Sequence, residues 1–202
     1  MTIWRERHPL ILASQSAVRK SLLDHAGLAV ETKPANIDER AIQQRSGLKN
    51  PGDIAALLAG EKAKHVSAAH PGRYVVGADQ TLALGERLFS KPANRDAAAD
   101  QLTALAGHTH SLHSAVSVVR ESQLLFSHVS VARMSMRKLT AAEIASYLDQ
   151  AGNAVTTSVG AYQLEGLGMH LFERIEGEHF TILGLPLFPL LAFLRSQNLL
   201  TI

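Results

Sequence analysis

The chain has no cysteine among its 202 residues, so disulfide bonds, thiolate nucleophiles and cysteine-based zinc sites are excluded. Because stable disulfides mark oxidising compartments, this absence favours a cytoplasmic location. The first ten residues, MTIWRERHPL, lack the apolar core of a signal peptide. No apolar run approaches the roughly 20 residues that a membrane-spanning helix needs. We therefore expect no membrane partner.

The sequence also lacks a strong charge of either sign. Its 20 Lys and Arg residues face 18 Asp and Glu residues, and aromatic residues make up only 5%. Such a chain offers neither a basic stripe nor a stacking platform, which disfavours an RNA- or DNA-binding module. Hydrophobic residues form 46% of the chain, enough to bury a core. With no repeat or linker in the sequence, we expect a single domain over residues 1–202.

Strand and helix signals alternate in the first half of the chain and long strands follow, which predicts a mixed α/β protein. The predicted strands cover 10–14, 28–32 and 74–78, two long stretches within 108–137, and two short stretches near 157–164 and 170–176. The predicted helices cover 17–26, 51–70, 95–106 and 141–150, and a last one begins near residue 186. A hairpin turn is expected at 85–86. Asn50 and Pro51 predict one helix start, and Thr140 with Glu143 predicts a capping box at another.

The stretch LILASQSAVRKSLL, residues 10–23, raises the first question about function. It is typical of a buried strand, a serine-containing loop and then a helix whose first turn carries Arg19 and Lys20. Helix starts carry partial positive charge and favour acidic residues. Either an anion binds there, held by backbone N–H groups and the cations, or two good helix formers simply face solvent. The sequence leaves both alternatives open.

Asp79 and Lys62 are the next candidates. Asp79 directly follows the apolar run VVGA; a carboxylate at the carboxyl end of a strand can bind a metal or accept a proton, or merely cap a turn. Lys62 lies in the apolar stripe of its helix, in i, i+4 spacing with Leu58 and Val66. Its ammonium either points into a cleft or reaches water along a buried stem.

Three further charged residues are weaker candidates when taken alone. Lys91 precedes a proline on a loop, Glu39 belongs to the charge run Asp38-Glu39-Arg40, and Glu165 lies in the glycine-containing stretch QLEGLG. Each is equally typical of a solvated surface. Glu39 could supply an oxygen ligand to Mg²⁺, and the glycines beside Glu165 would permit close approach to a ligand.

Ten histidines first suggest a metal site, especially His108, His110 and His113, which lie close together. His108 and His110 would share one strand face, a geometry compatible with zinc. No carboxylate neighbours them and no HExxH pattern occurs, so we do not expect zinc there. The GxxxxGK[ST], GxGxxG and GxSxG motifs are also absent.

Together, the candidates combine cations, carboxylates and a helix start: Ser14, Arg19, Glu39, Lys62, Asp79, Lys91 and Glu165. Polyphosphate chemistry needs these groups. Cations and backbone amides bind phosphates, carboxylates bind Mg²⁺, and one carboxylate orients or deprotonates water.

Several spaced blocks resemble those of the Maf family, once named septum formation inhibitor. LASQSAVRKSLL is similar to the family's LASxSPRRxxLL signature. AGEKAKHV, GADQT followed by SKP, and GAYQLEGLG with LFERIEG and ILGLPL resemble its later blocks in the same order. The resemblance covers essentially the whole chain.

The resemblance implies an elongated, mixed-sheet, Maf/ITPase-like fold with two lobes flanking a cleft, and a homodimer. It implies a nucleoside triphosphate pyrophosphatase that releases a nucleoside monophosphate and pyrophosphate with a divalent cation, Mg²⁺ or Mn²⁺. It implies a house-cleaning role and a link to cell-division arrest. By matching motif, Asp79 would accept the proton of water and contribute to metal binding with Glu39. The implied substrate-binding residues are Ser14, Arg19, Lys62, Lys91, Gln80 and Glu165.

The chain departs from the family pattern at informative positions. The usual Pro-Arg-Arg is Ala17-Val18-Arg19, so one arginine is missing, and Lys20 points about 100° away from that position. Asp79-Gln80 and Glu165 resemble the branch acting on 7-methyl-GTP more than the branch acting on dTTP and UTP. A carboxylate at 165 could accept from guanine N1–H and the 2-amino group. The missing arginine also motivates an alternative, a non-catalytic nucleotide-binding regulator of cell division.

Overall fold

A computed structural model of the chain describes residues 3–202, and it confirms the mixed α/β prediction. Seven strands form a sheet: β1 Leu10–Leu12, β2 Val30–Thr32, β3 Val75–Leu84, β4 Arg87–Phe89, β5 Thr109–Arg120, β6 Gln123–Met136 and β7 Phe172–Glu176. Over the same described residues, seven α-helices accompany the strands: α1 Ala17–His25, α2 Glu39–Ser46, α3 Pro51–Ala68, α4 Arg95–Leu105, α5 Ala141–Ala151, α6 His179–Ile182 and α7 Leu187–Ser196.

The sheet is mixed, with hydrogen-bonding order β2-β1-β3-β5-β6-β7 and with β4 paired to β3. Strand β1 runs parallel to both neighbours, with Leu10 opposite Val30 and Ile11 opposite Val75. The β3–β4 and β6–β7 pairs are antiparallel. The β3–β4 hairpin turns at Gly85, whose φ of 57° suits glycine.

The chain divides into two compact units. The first contains the described residues up to Gln80, together with 114–130 and 179–202; the second contains 81–113 and 131–178. The candidate residues of the first unit are Ser14, Arg19, Glu39, Lys62, Asp79 and Gln80. Lys91 and Glu165 belong to the second.

In the first unit, helices cover both faces of the sheet. Val66 of α3 packs with Ile11 and Val75 on one face. Leu23 of α1 and Leu190 of α7 belong to the core cluster on the other face, with the even-numbered β3 residues Val76 and Ala78. Since successive strand residues point to opposite faces, each β3 position has a defined helix partner. This alternation decides where the polar residues after Ala78 point.

In the second unit, α4 packs against α5, and the predicted capping box of α5 is confirmed at Thr140 and Glu143. The chain after α5 was expected to form a strand near 157–164, and that prediction is wrong. It forms 3₁₀ turns at Gly152–Thr156 and Val159–Ala161, and another at Leu167–Leu171. Gly160 has φ 81° and Ala161 has φ 62°, values that no strand residue adopts.

Other element boundaries differ from the predictions in ways that affect the site. Strand β3 continues through Asp79 to Leu84, so Asp79 lies inside a strand and not at its carboxyl end. Helix α2 was not predicted; its N-cap Asp38 accepts from the Ala41 N–H at 2.9 Å. The Asn50 cap and Pro51 start of α3 are confirmed. Over residues 3–202, no helix combines the length and the apolar character needed to cross a bilayer.

Candidate active site

The site begins where α3 lies directly against β3. Gly77 has no side chain, and a Cβ there would overlap the Ala59 carbonyl oxygen and lie 2.9 Å from the Ala63 nitrogen. Only glycine permits this approach of helix to strand. Asp79 follows two residues later and therefore points to the same face of β3 as Gly77, towards α3.

Lys62 of α3 meets Asp79 on this face. Its Nζ lies 2.5 Å from Asp79 Oδ1 and 3.0 Å from Glu39 Oε1. The Lys62 side chain is 11% exposed and that of Asp79 10%, whereas Glu39 is 49% exposed. The ammonium therefore does not reach bulk water along a buried stem. It bridges one buried and one accessible carboxylate.

Burial also changes the acid–base properties of Asp79. Removal from water raises the pKa of Asp79 above its ordinary value, and the nearby charge and hydrogen bond of Lys62 and the charge of Arg19 oppose that rise. A carboxyl group with a raised pKa is a stronger base than a free aspartate when ionised. The arrangement can therefore accept a proton from water.

Arg19 is held by three oxygen atoms of the first unit. Its Nε donates to the Gly184 carbonyl at 2.8 Å, and one terminal nitrogen donates to Ala78 O at 2.9 Å and to Ser14 Oγ at 3.2 Å. Burial lowers the pKa of the guanidinium, while the charges of Asp79 and Glu39 oppose this shift. Arg19 is thus fixed close enough to both carboxylates to interact with them electrostatically.

The two cations at the start of α1 have different roles. Lys20 forms an exposed ion pair with Asp24 at 2.6 Å, which is ordinary surface pairing along a helix. Ser16 caps the helix by accepting from the Arg19 N–H at 3.3 Å, and the Ser16 N–H donates to Ser14 Oγ at 3.2 Å. Only Arg19 turns inward to the site.

Gln80 lies on the opposite face of β3 from Asp79. Its Nε2 lies 2.8 Å from Ser114 Oγ, 3.0 Å from Thr181 O and 3.1 Å from Ile182 O. Neighbouring strand residues alternate in direction, so Gln80 packs towards α6 and away from α3. The structure therefore does not bring Gln80 into the cluster around Asp79.

Lys91 and Glu165 lie in the second unit. Lys91 is exposed in the loop between β4 and α4, and Glu165 is exposed between two 3₁₀ turns. Their substrate-binding roles stay predictions. In the same unit, His110 is buried, its Nε2 lies 2.7 Å from Tyr162 Oη, and burial lowers its pKa to about 4.

The oxygen ligands near Lys62 are few. Over residues 3–202, no group of three or more His, Asp or Glu side chains is placed to bind a metal ion. Glu39 and Asp79 are two carboxylates within reach of one ammonium, a donor set of hard oxygens. Mg²⁺ is typically bound by one or two carboxylates together with substrate phosphates and water. The residues fit a cation that arrives with a phosphate ligand.

Sequence reasoning overlooked Gly184 and Gly77, although both are needed for this geometry. Gly184 has φ 85°, and a Cβ there would lie 3.1 Å from a terminal nitrogen of Arg19. The signals were the glycines in ILGLPL and VVGA, which imply close backbone approach. Ser114, which contacts Gln80, gave no signal of its own.

The chain is similar to several known proteins over most of its length. A family model described as Maf-like protein matches residues 9–197. The chain is 64% identical, over the full length of both proteins, to the nucleoside triphosphate pyrophosphatase of Bradyrhizobium diazoefficiens. It is 50% identical to the 7-methyl-GTP pyrophosphatase of Rhizobium etli, over 93% of this chain and 95% of that protein. A solved HAM1 protein from Coxiella burnetii aligns with 63% of this chain and 72% of that chain, at 14% identity and TM-score 0.42.

Proposed function

The chain belongs to the Maf-like protein family, and we propose that it is a nucleoside triphosphate pyrophosphatase. The observation that carries this proposal is the Lys62 ammonium set between Asp79 and Glu39. One buried carboxylate, one accessible carboxylate and two cations are the groups that phosphoanhydride hydrolysis needs. Full-length relatives named nucleoside triphosphate pyrophosphatases support the same activity.

The candidate residues around Asp79 each have a role in the proposed reaction. Arg19, Lys62 and the Ser14 loop bind the negatively charged phosphates, and Asp79 orients a water molecule and accepts its proton. The water oxygen forms a bond to phosphorus while the bond joining the α- and β-phosphates breaks. Pyrophosphate leaves with the electron pair of that bond, and a nucleoside monophosphate remains.

Glu39 and Asp79 would hold a divalent cation, Mg²⁺ or Mn²⁺. When bound, such an ion neutralises phosphate charge and polarises the phosphoryl oxygens. Glu39 is half exposed, and ion pairs of exposed side chains contribute little to stability. Because Lys62 also attracts phosphate, Glu39 can release Lys62 and bind the cation at a small cost in free energy. Lys91 of the second unit is proposed as a further phosphate ligand.

The proposed substrates are modified or non-standard nucleoside triphosphates, cleared in a house-cleaning role linked to cell-division arrest. Glu165 would accept hydrogen bonds from guanine N1–H and the 2-amino group, which uracil and thymine cannot offer in that arrangement. The relative named 7-methyl-GTP pyrophosphatase supports a guanine-like base. We further propose that the protein is cytoplasmic and forms a homodimer. Light scattering of the purified chain tests the homodimer.

The experiment is pyrophosphate release from a nucleotide panel with Mg²⁺ or Mn²⁺. The panel contains the standard NTPs and dNTPs, 7-methyl-GTP, 5-methyl-UTP and pseudouridine triphosphate. Turnover of a subset that EDTA abolishes supports the proposal and identifies the substrate. Glu165→Gln should change the ratio of kcat/KM between guanine and pyrimidine nucleotides, and an unchanged ratio would refute the role of Glu165.

A second candidate is a nucleotide-binding regulator without catalysis. It is favoured by one observation, the apolar Val18 at a position where the family signature carries arginine. Tight triphosphate binding with no pyrophosphate release across the panel would support this candidate and exclude the enzyme. Restoring the cation with Val18→Arg distinguishes the two further, because a regulator that lost catalysis through this position should then gain turnover.

A further inference from the structure

The segment that carries Glu165 is a loop closed on itself, residues 162–168, here named the Glu165 loop. The Gly166 N–H donates to the Gln163 carbonyl at 3.2 Å, and a Cβ at Gly168 would overlap the same carbonyl oxygen. Only glycine permits that approach. Glu165 is exposed between these closing contacts, so the backbone of the loop sets the direction of its carboxylate.

Tyr162, the first residue of the Glu165 loop, fastens the loop to strand β5. Its side chain is buried, and its Oη lies 2.7 Å from Nε2 of His110, which is buried on β5. The Tyr162 ring also meets Phe172 edge-on, with the ring centroids 4.8 Å apart. Edge-to-face packing and a polar contact at the hydroxyl together fix both the position and the orientation of the ring.

The backbone that leads into Tyr162 is equally constrained. Gly160 has φ 81°, and a Cβ there would lie 2.7 Å from the Tyr162 ring. The Gly160 N–H donates to Gln101 Oε1 of α4 at 3.1 Å. The hydroxyl of Tyr147, on α5, donates to the Ala161 carbonyl at 3.2 Å. The Glu165 loop therefore starts from a point that two helices and strand β5 define.

The His110–Tyr162 contact is costly as a purely structural feature. Within the described chain, His110 Nδ1 is buried with no hydrogen-bond partner, and burying such a polar atom costs free energy. Burial also lowers the pKa of His110 to about 4, so the imidazole is neutral near pH 7 and adds no ion pair. A leucine and a phenylalanine would fill a similar volume without that cost, but they would not fix the direction of residue 162.

We propose that His110 and Tyr162 are positioning residues, which hold the Glu165 loop so that the Glu165 carboxylate meets the nucleobase. The inference rests on the proposed function, in which Glu165 accepts from guanine N1–H and the 2-amino group. In that proposal the triphosphate is bound by residues outside the Glu165 loop. Loss of the His110–Tyr162 contact should therefore weaken guanine recognition and leave the chemistry at the phosphates unchanged.

The first test removes only the Tyr162 hydroxyl. Tyr162→Phe is made in the wild type and in Glu165→Gln, and kcat/KM for pyrophosphate release is measured for a guanine and a pyrimidine nucleotide. We expect Tyr162→Phe to lower the guanine value by about 5-fold, mainly through KM, and the pyrimidine value by less than about 2-fold. In Glu165→Gln no carboxylate remains to be positioned, so Tyr162→Phe should change the ratio of the two values by less than about 2-fold.

A second variant separates positioning from stability. Tyr162→Phe leaves His110 Nε2 buried without its partner, which should destabilise the fold. His110→Leu combined with Tyr162→Phe removes both polar groups and should recover most of the lost stability, measured by chemical denaturation. The double variant still lacks the directional contact, so its preference for guanine should stay as low as that of Tyr162→Phe. Recovery of stability and preference together would show that packing alone holds the loop, and would overturn the proposal.

Tyr74→Phe is the matched control. Tyr74, in the first unit, also uses its hydroxyl, which accepts from Arg120 Nη1 at 2.9 Å. The variant therefore removes the same atom from a hydrogen-bonded tyrosine of the other unit. Its ratio of kcat/KM for the two nucleotides should stay within about 2-fold of the wild type. If Tyr74→Phe lowers the preference for guanine as much as Tyr162→Phe does, the specific contact is refuted.

Other outcomes also decide the proposal. Equal losses for both nucleotides in Tyr162→Phe would show that the contact does not act through base recognition, and no loss would refute any positioning role. A further loss of preference in Glu165→Gln, as large as in the wild type, would show that Tyr162 acts independently of Glu165. If Tyr162→Phe does not fold, the double variant with His110→Leu carries the same measurement.

A failure of the proposed function gives a different pattern. If the wild type releases no pyrophosphate from any nucleotide, the enzyme proposal fails, and the same variants are compared by the Kd of α,β-methylene nucleotides, measured by calorimetry. A guanine preference in binding that depends on Tyr162 only when Glu165 is present then supports the positioning role. If the wild type turns over nucleotides with no preference between the bases, the pyrophosphatase stands and this inference is refuted.

Discussion

The ammonium of Lys62 lies 2.5 Å from the Asp79 carboxylate, at the point where α3 crosses β3. Asp79 is buried by the same packing that positions Lys62, so the proposed catalytic geometry and the core share one set of contacts. A polar pair in this setting is retained although an apolar pair of similar volume would often be equally stable. The proposed phosphoanhydride hydrolysis gives a reason why the Lys62–Asp79 pair is ionic and not apolar.

Removing Lys62 should destabilise the fold because it leaves the Asp79 carboxylate without its close partner. Breaking a buried pair costs about 3–5 kcal/mol, and both side chains here keep about a tenth of their surface exposed. We expect Lys62→Met to lower the free energy of unfolding by about 3 kcal/mol, at the low end of that range. Chemical denaturation measures the change.

Lys64→Met, on the same helix, is the control. Lys64 pairs with Glu61 at 3.0 Å on an exposed surface, and such pairs contribute about 0.5 kcal/mol or less. Similar losses of unfolding free energy in Lys62→Met and Lys64→Met would contradict the claim that the buried Lys62–Asp79 pair matters more than an exposed pair. Adding Asp79→Asn to Lys62→Met should recover part of the loss, because the unpaired charge is then removed.

Gly77→Ala should disturb the site although it changes none of the charged residues that form it. The new Cβ would overlap the Ala59 carbonyl, so α3 must move away from β3 and carry Lys62 with it. We expect a loss of at least about 1–3 kcal/mol in unfolding free energy, together with loss of activity. Thermal unfolding and pyrophosphate release are the two measurements.

Gly60→Ala is the matched variant on α3. A Cβ at Gly60 would lie 3.9 Å from its nearest neighbour, Ser117 Oγ, which is an ordinary contact. Because alanine is a better helix former than glycine, the variant should be neutral or up to about 1 kcal/mol more stable. A stability loss equal to that of Gly77→Ala would show that the close approach at Gly77 is not decisive.

Arg19→Lys should impair nucleotide binding although it keeps the charge. A lysine ammonium cannot reproduce the planar guanidinium that donates to Gly184 O, Ala78 O and Ser14 Oγ. Losing one hydrogen bond of a charged group costs about 1.5–3 kcal/mol, or at least about 10-fold in kcat/KM. Lys20→Ala, which removes only an exposed pair, should leave kcat/KM unchanged; equal losses would contradict the inward role of Arg19.

The stability of the α5 start should depend on pH below neutrality. Hydrogen bonds from the Thr140 backbone N–H, the Arg137 side chain and the Thr140 hydroxyl lower the pKa of Glu143 to about 2. The ionised form is therefore favoured by folding, and its contribution is present above the unfolded pKa of about 4.3 and lost as pH falls towards 2.

Glu143→Gln lacks this titration. Its melting temperature should be below that of the wild type at pH 6, and the difference should shrink between about pH 4.5 and 2. Glu178→Gln, at an exposed position before α6, serves as the control and should parallel the wild type. A difference in melting temperature that stays constant over this pH range would contradict the role of the Glu143 charge.

Local signals predicted much of the fold. The α3 start at Asn50 and Pro51, the two long strands within 108–137 and the capping box at Thr140 are each specified by nearby residues, and all three are confirmed. Helix α2 was missed because its sequence ERAIQQRS is polar on most sides and none of its residues is buried. Such a helix has no apolar stripe from which periodicity can be recognised.

The candidate site was predictable in part. Lys62 was identified because a charge in an apolar stripe is unusual, and the structure places it beside Asp79. Gln80 was expected to bind substrate from the family resemblance, and the two-residue period of a strand directs its side chain to the face of β3 opposite Asp79. The contact of Arg19 with Gly184 joins residues 165 positions apart, and no local pattern encodes such a distance.

The most direct test of the account is identification of the products from the wild type and Asp79→Asn, incubated with the preferred nucleotide and metal. We predict one pyrophosphate per nucleoside monophosphate in the wild type. Asp79→Asn should be slower by about 100- to 10,000-fold with its nucleotide Kd kept, whereas exposed Asp100→Asn should match the wild type. Release of inorganic phosphate with a nucleoside diphosphate, or undiminished turnover in Asp79→Asn, would contradict the account.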